Sequence, residues 1–382
     1  MRDGKIIIAR LWPTFGGNIP SVIPVICGIN PDKYETIGIY LTKTSDAPNL
    51  LEQNGKKVFF VTQKSRLPII PFSFLRLAEI LEEQGVDILH CHHHKAAFYG
   101  TIAGKIAKVP AILSHVHGLG RTRNINRKLQ NYFLLPRIDK ILAVGGAVKN
   151  DILKTNPSVE PEKVMNIGNS IDYEYYSNTN FDRHAVREKY NIPSDAFVFA
   201  AAGRLAETKG QKYLIKTFSE IKKQTPNIRL LFAGTGRLKS ELEKQTMELN
   251  CKNSIYFLDR VNNMPEFYSM IDAFVLPSLA EGLPRTLIEA MAAGVLCIAS
   301  DVGGIPEILD NGRLGFLVQA ENSDELADMM QKAINLPLQK KEAIITDAKE
   351  YIKTNYSHNV MIKRIENIYD TLIKEKTGCN KN

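Results

Sequence analysis

Apolar runs of four to seven residues recur along the chain, separated by longer segments with helical spacing of apolar positions. Runs this short, bounded by polar or glycine-containing turns, predict strands, and the intervening segments predict helices. In the first half the predicted strands are Lys5 to Leu11, Thr36 to Leu41, Lys57 to Thr62, Asp87 to His92, Ala111 to Val116, Lys140 to Val144 and Val164 to Ile167. In the second half they are Phe197 to Ala202, Arg229 to Ala233, Ser254 to Leu258, Ala273 to Leu276, Val295 to Ser300 and Gly315 to Val318. Such alternation predicts an α/β protein with parallel sheets.

The polar, turn-prone stretch Asp172 to Asn180 interrupts the pattern, and Asn191-Ile-Pro-Ser-Asp195 precedes a fresh strand. The expected organisation is therefore an N-terminal domain over 1–170, a linker over 171–195 and a second domain over 196–355. Residues 347–376 read as one helix with apolar positions at Ile352, Met361, Ile365, Ile368 and Leu372, and the tail 356–382 is expected to return to the first domain. A length of 382 residues agrees with two domains of about 150 to 200 residues each. Ligands are expected at the carboxyl ends of the strands, in a cleft between the domains.

Charge adds a preference among partners. The net charge of +8, from 49 basic and 41 acidic residues, favours phosphate-bearing molecules or an anionic membrane surface. The densest basic run is Arg121 to Lys128. It lacks zinc-finger spacing and an aromatic RNA-binding strand, so nucleic acid is not an expected partner. Five scattered cysteines without a C-x-x-C pair, and no apolar run of spanning length, predict a reduced cytoplasmic protein, peripheral at most on the inner face of the membrane.

The most informative stretch is Glu281-Gly-Leu-Pro-Arg-Thr-Leu-Ile-Glu289, directly after the strand Ala273 to Leu276. Pro284 suits a first helical position, and Gly294 suits the stop. Glu281 then precedes the helix and Glu289 falls in its second turn. Between them the unpaired first-turn N–H groups suit a diphosphate, with the flanking acids free for hydroxyls. A helix with early glutamates is also simply favoured by its dipole.

Arg204 and Lys209 follow the first strand of the second half, where a guanidinium fork and a compact ammonium can converge on phosphate. Gly234 and Gly236, and Gly16 and Gly17, form glycine turns at strand ends, but neither pair completes a dinucleotide-binding fingerprint. His90, His92, His93 and His94 invite a metal reading; no helical H-E-x-x-H and no second Cys/His half accompany them, so no metal is expected. His117, at the end of Ala111 to Val116, can hydrogen-bond a hydroxyl in the cleft, and His115 is its rival on the same strand face.

In order, these motifs resemble the retaining glycosyltransferases of family four, over nearly the whole chain. The resemblance implies the GT-B fold, two facing Rossmann-like domains with an inter-domain cleft. It implies transfer of a sugar from a UDP- or GDP-sugar, without cofactor or metal, to a hydroxyl of a glycan or lipid-linked acceptor in polysaccharide, lipopolysaccharide or glycolipid synthesis. By resemblance Arg204 and Lys209 hold the diphosphate, Glu289 the ribose and Glu281 the sugar hydroxyls. Gly16, Gly17, Gly234, Gly236, Gly282 and Leu283 approach the donor with their backbones, Arg260 and Val261 flank the base, and His117 lies beside the transferred sugar. Asp259 stands where a glycine is frequent. A nucleotide-sugar epimerase or another GT-B enzyme is the alternative; a non-enzymatic nucleic-acid binder would account only for the charge.

Overall fold

The structure is a computed structural model and describes residues 4–15, 22–64, 70–120, 125–178 and 180–378. The chain divides into two compact units: residues 1–169 with 358–382, and residues 170–357.

The first unit is built on a seven-stranded parallel sheet. Its strands are β1 (Ile6–Phe15), β2 (Tyr34–Lys43), β3 (Val58–Phe60), β4 (Ile88–His92), β5 (Ala111–Val116), β6 (Lys140–Ala143) and β7 (Val164–Asn166), in the order β3-β2-β1-β4-β5-β6-β7. Strands covered on both faces need apolar residues at successive positions, which is why Ile6-Ile7-Ile8-Ala9 is wholly buried. One face packs on the C-terminal helix His358–Thr377 through Met361, Ile365, Tyr369 and Leu372 against Ile8, Ile88 and Leu113. Polar contacts fix that helix: Lys33 pairs with Asp370 at 2.6 Å, Lys376 with Asp139 at 2.5 Å, and Arg364 donates to the Ile167 carbonyl at 3.1 Å.

The second unit carries a six-stranded parallel sheet of β8 (Phe197–Ala202), β9 (Ile228–Ala233), β10 (Ile255–Phe257), β11 (Ala273–Leu276), β12 (Leu296–Ser300) and β13 (Phe316–Val318), ordered β10-β9-β8-β11-β12-β13. Phe199, Phe218 and Phe232 anchor its core. Both units are thus Rossmann-like, and all thirteen strands fall within two or three residues of the runs read from the sequence, except that β1 extends to Phe15.

Two segments differ from expectation. The helical tail is two helices, Leu338–Tyr356 and His358–Thr377, interrupted at Ser357, which bridges in parallel to Ile171. Residues 171–195 fold with the second unit: Arg187 is buried and donates to the carbonyls of Met270, Ser194 and Ala196 while pairing with Asp272 at 2.8 Å. A guanidinium so fully committed makes this segment part of that unit's core rather than a loose connection.

Candidate active site

In the second sheet β8 and β11 are neighbours, yet the chain winds away from them in opposite directions, to β9 and to β12. Loops leaving such a switch point diverge and open a crevice beyond the strand ends. Here the Leu279 N–H donates to the Thr208 carbonyl at 2.8 Å, tying the loop after β11 to the loop after β8. Lys209 Nζ lies 2.5 Å from Glu281 Oε1, and the same oxygen accepts from the Ser278 hydroxyl at 2.7 Å. The two residues that the sequence placed at different strand ends therefore meet directly, with Ser278, fully buried, as an unforeseen third member.

Backbone packing holds these loops. A Cβ on Gly234 would lie 2.0 Å from the Gly203 carbonyl oxygen, and one on Gly236 would lie 2.2 Å from that of Leu205, so only glycine lets the loop after β9 reach the loop after β8. Gly303, at φ +60°, plays the same part after β12: a Cβ there would fall 1.8 Å from the Glu281 carbonyl oxygen. Gly303-Gly304 was missed in the sequence, although a glycine pair directly after an apolar run is the same signal that marked Gly234 and Gly236. Gly282 presents its carbonyl to Gly304, and Leu283 is buried.

Helix Arg285–Ala292 begins one residue later than expected, with Pro284 as N-cap. Proline supplies no capping side chain, so the first-turn N–H groups keep their donor capacity. Glu289, in the second turn, is only 7% exposed. It receives the Tyr268 hydroxyl at 3.3 Å, is bonded by Tyr176 and lies 3.5 Å from Arg285. Burial pushes its carboxyl pKa up, against the lowering pull of Arg285 and the two tyrosines. Neither tyrosine was identified from the sequence, because nothing local links them to Glu289.

Arg204 is exposed, and its guanidinium has no hydrogen bond or ion pair among the described residues. Arg260 and Val261 follow β10, in a loop joined to the turn after β9 by the Gly234 N–H on the Asp259 carbonyl at 2.6 Å. Asp259 adopts φ +52°, which explains why glycine is frequent there and why aspartate, tolerant of the left-handed region, can replace it. Gly16 and Gly17 lie outside the described residues.

In the first unit the histidines form a stacked group. His90 and His92, two apart on β4, share a face; His92 is in register with His115 on β5. The His90 and His92 rings are 4.6 Å apart, His92 lies 4.9 Å from Trp12, and His115 lies 4.2 Å from His117. His117 is half-buried at the open end, with Nε2 3.2 Å from His92 Nδ1, whereas His115 is buried and neither of its ring nitrogens has a partner among the described residues. Burial holds His90, His92 and His115 well below the ordinary imidazole pKa, and the Arg10 guanidinium adds to it. Ligand atoms of these three lie within 4.8 Å of one another. The sequence reading, which found no second Cys/His half to accompany His90 and His92, did not anticipate that β5 brings His115 to them. Arg10, itself buried, stands 3.3 Å from His92 Nε2, and its charge opposes a cation there.

Two Rossmann-like units, each on a parallel sheet flanked by helices, are the architecture of a GT-B glycosyltransferase, and the comparisons agree. The family model "Glycosyltransferase Family 4" matches residues 39–175, and "Glycosyl transferases group 1" matches residues 182–351. The chain belongs to this glycosyltransferase family. It is 27% identical over 350 residues to the capsular polysaccharide biosynthesis glycosyltransferase CapM of Staphylococcus aureus, covering 88% of this chain and 90% of that one. It is 25% identical over 338 residues to an Escherichia coli UDP-Gal:alpha-D-GlcNAc-diphosphoundecaprenol alpha-1,3-galactosyltransferase, covering 85% and 87%. In fold it is similar to a Rickettsia africae glycosyltransferase (TM-score 0.82, 22% identity, 97% and 99% covered). It is also similar to Anabaena HepE solved with UDP (TM-score 0.81, 22% identity, 96% and 100% covered). Among the described residues no helix is long and apolar enough to cross a membrane.

Proposed function

We propose that this glycosyltransferase moves a sugar, with retained anomeric configuration and without a metal, from a nucleotide-diphosphate sugar to a hydroxyl of a glycan or lipid-linked acceptor. The observation that carries the reading is the Lys209–Glu281 contact at the switch point, which sets a cation suited to phosphate against an acid suited to hydroxyls. Lys209 and Arg204 take the diphosphate together with the first-turn N–H groups of helix Arg285–Ala292. Glu281 takes the sugar hydroxyls, and the backbones of Gly234, Gly236, Gly282 and Leu283 line the donor. Glu289 takes the ribose, Arg260 and Val261 flank the base, Gly16 and Gly17 approach the donor, and His117 supports transfer.

In the transfer step the bond from the anomeric carbon to the diphosphate oxygen breaks and the acceptor oxygen bonds the same face of that carbon. The acceptor proton passes to the departing diphosphate. The positive groups stabilise the charge gathering on that leaving group, where preorganised donors act most strongly. The names of CapM and the E. coli galactosyltransferase support a cell-surface glycan as product, and the UDP in HepE supports uridine over guanosine. The basic residues Arg121, Arg123, Arg127 and Lys128 draw the protein to an anionic membrane.

A thermal-shift screen of nucleotide sugars with free UDP and GDP tests the donor reading, because a ligand of the folded state raises the melting temperature by mass action. No shift with any nucleoside diphosphate at millimolar concentration would refute it. Turnover of a nucleotide sugar without acceptor would favour an epimerase instead.

A further inference from the structure

Arg10 is a wholly buried guanidinium with no carboxylate paired to it among the described residues. Its one hydrogen-bond partner there is His92, with Nη1 3.3 Å from Nε2; Nε and Nη2 have none, and the group lies over the Tyr369 ring at 5.7 Å. A charge held this way opposes folding, and an apolar side chain of similar length would fill the space at less cost. What arginine supplies instead is a donor that works in one direction only.

Guanidinium N–H groups donate and never accept, so His92 Nε2 is the acceptor. The proton of that ring therefore sits on Nδ1. An imidazolium would turn N–H against N–H beside a fixed positive charge, and burial also holds His92 neutral. His92 Nδ1 lies 3.2 Å from His117 Nε2, so the His92 N–H donates and His117 Nε2 accepts. The proton of His117 is thereby assigned to Nδ1. Packing keeps the rings in this register: His92 stacks with Trp12 at 4.9 Å and 9° and with His90 at 4.6 Å and 5°, and His117 stacks with His115 at 4.2 Å and 19°.

We infer that Arg10 is a positioning residue for sugar transfer: through His92 it fixes His117 as an Nδ1–H donor, able to hydrogen-bond a sugar oxygen and unable to take a proton from the acceptor hydroxyl. This rests on the transfer role proposed for His117 and narrows it. A ring whose Nδ1 already holds its proton, and whose Nε2 is engaged by His92, is not a general base. The acceptor proton then leaves by another route, as it does when the departing diphosphate takes it.

The chain can be reversed without being broken. In Arg10→Met the two imidazoles can bond equally well with His117 Nε2–H donating to His92 Nδ1, so losing the guanidinium changes the tautomers and keeps the contact. The full chain, without ligand and with isotope-labelled histidine, is read by long-range proton–nitrogen correlation, which separates protonated from unprotonated ring nitrogens. His117→Ala and His92→Phe identify the two sets of signals. In the parent, His117 should carry its proton on Nδ1, the opposite of what a histidine side chain in water prefers. Arg10→Met should move His92 and His117 together towards the Nε2–H form, with UDP affinity kept and the melting temperature at or above the parent value. Its kcat for UDP release, from the UDP-sugar that most raises the melting temperature, should fall roughly three- to tenfold, the worth of one neutral hydrogen bond. Arg10→Lys, also a donor only, should keep the parent tautomers and recover the rate. A parent that binds no nucleoside diphosphate refutes the donor reading instead, without touching the tautomers. The inference is overturned if parent His117 carries its proton on Nε2, if Arg10→Met leaves the tautomers unchanged, or if kcat survives their reversal. It is equally overturned if Arg10→Met loses stability, rate and UDP affinity together, the mark of a merely structural arginine.

Discussion

Replacing Lys209 with Met removes the ammonium while keeping most of the aliphatic stem, and the structure gives two separate magnitudes. Without ligand, Glu281 loses a partner at 2.5 Å and retains the Ser278 hydroxyl. The side chains are 20% and 10% exposed, between a surface pair and a fully buried one. The cost therefore falls between the roughly 1 kcal/mol ceiling of exposed pairs and the 3–5 kcal/mol of buried ones, at about 1–2 kcal/mol. For a unit of this size that lowers the melting temperature by about 2–8 °C. With ligand, the variant also loses a charge-assisted bond to phosphate worth about 1.5–3 kcal/mol, a drop of roughly 10- to 150-fold in UDP affinity by calorimetry. Glu281→Gln separates the two effects. It keeps the ammonium and removes the carboxylate that competes with phosphate for it, so UDP binding should hold or tighten while transfer falls. Lys209→Met binding UDP and GDP like the parent would refute the diphosphate assignment. Equal loss of nucleotide affinity in both variants would show that Lys209 acts only by placing Glu281.

Glu289→Gln should leave the ligand-free melting temperature at or above the parent value near neutral pH, because the raised carboxyl pKa means that burial of the ionised form opposes folding. The same change should weaken UDP binding by about 1–3 kcal/mol, and a calorimetric titration showing none would remove the ribose role. His117→Ala should lose kcat with nucleotide affinity nearly kept, and His115→Ala is its control; the reverse pattern in steady-state rates would pass the role to His115. Stability of the first unit should fall as pH drops below about 6.5, since His90, His92 and His115 are held neutral when folded and take up protons when unfolded. Each such proton contributes a slope of about 1.4 kcal/mol per pH unit, present above the unfolded pKa and lost on acidification towards the folded ones. Thermal melts across pH 5 to 8 should show a shallower dependence in His115→Leu, and an unchanged slope would contradict it.

The strands were legible because a parallel sheet covered on both faces demands uninterrupted apolar residues, a local property. Helix Arg285–Ala292 was legible for the same reason, through Pro284 and Gly294. What stayed hidden depends on residues distant in sequence. Tyr268 and Tyr176 reach Glu289 from other helices, and Ser278 looks like any loop serine until Glu281, held by the distant Lys209, accepts its hydroxyl. His90 and His92 sit in a strand where polar side chains suggest solvent, yet Tyr369, some 280 residues later, covers His90 at 2.8 Å. The break at Ser357 escaped because residues on both sides favour helix; it is set by pairing with Ile171.

That pairing makes the second unit an insertion into the first. Its two ends meet, with the Ile171 N–H on the Tyr356 carbonyl at 2.9 Å, so residues 170–357 have the closed ends of an excisable domain. The first unit has no such independence from its tail. A gene cut before residue 358 would encode every strand of both sheets and still leave Ile8, Ile88, Leu113 and His90 uncovered. Joining Asn169 to His358 through a short linker, by contrast, should restore a self-contained first unit for separate expression.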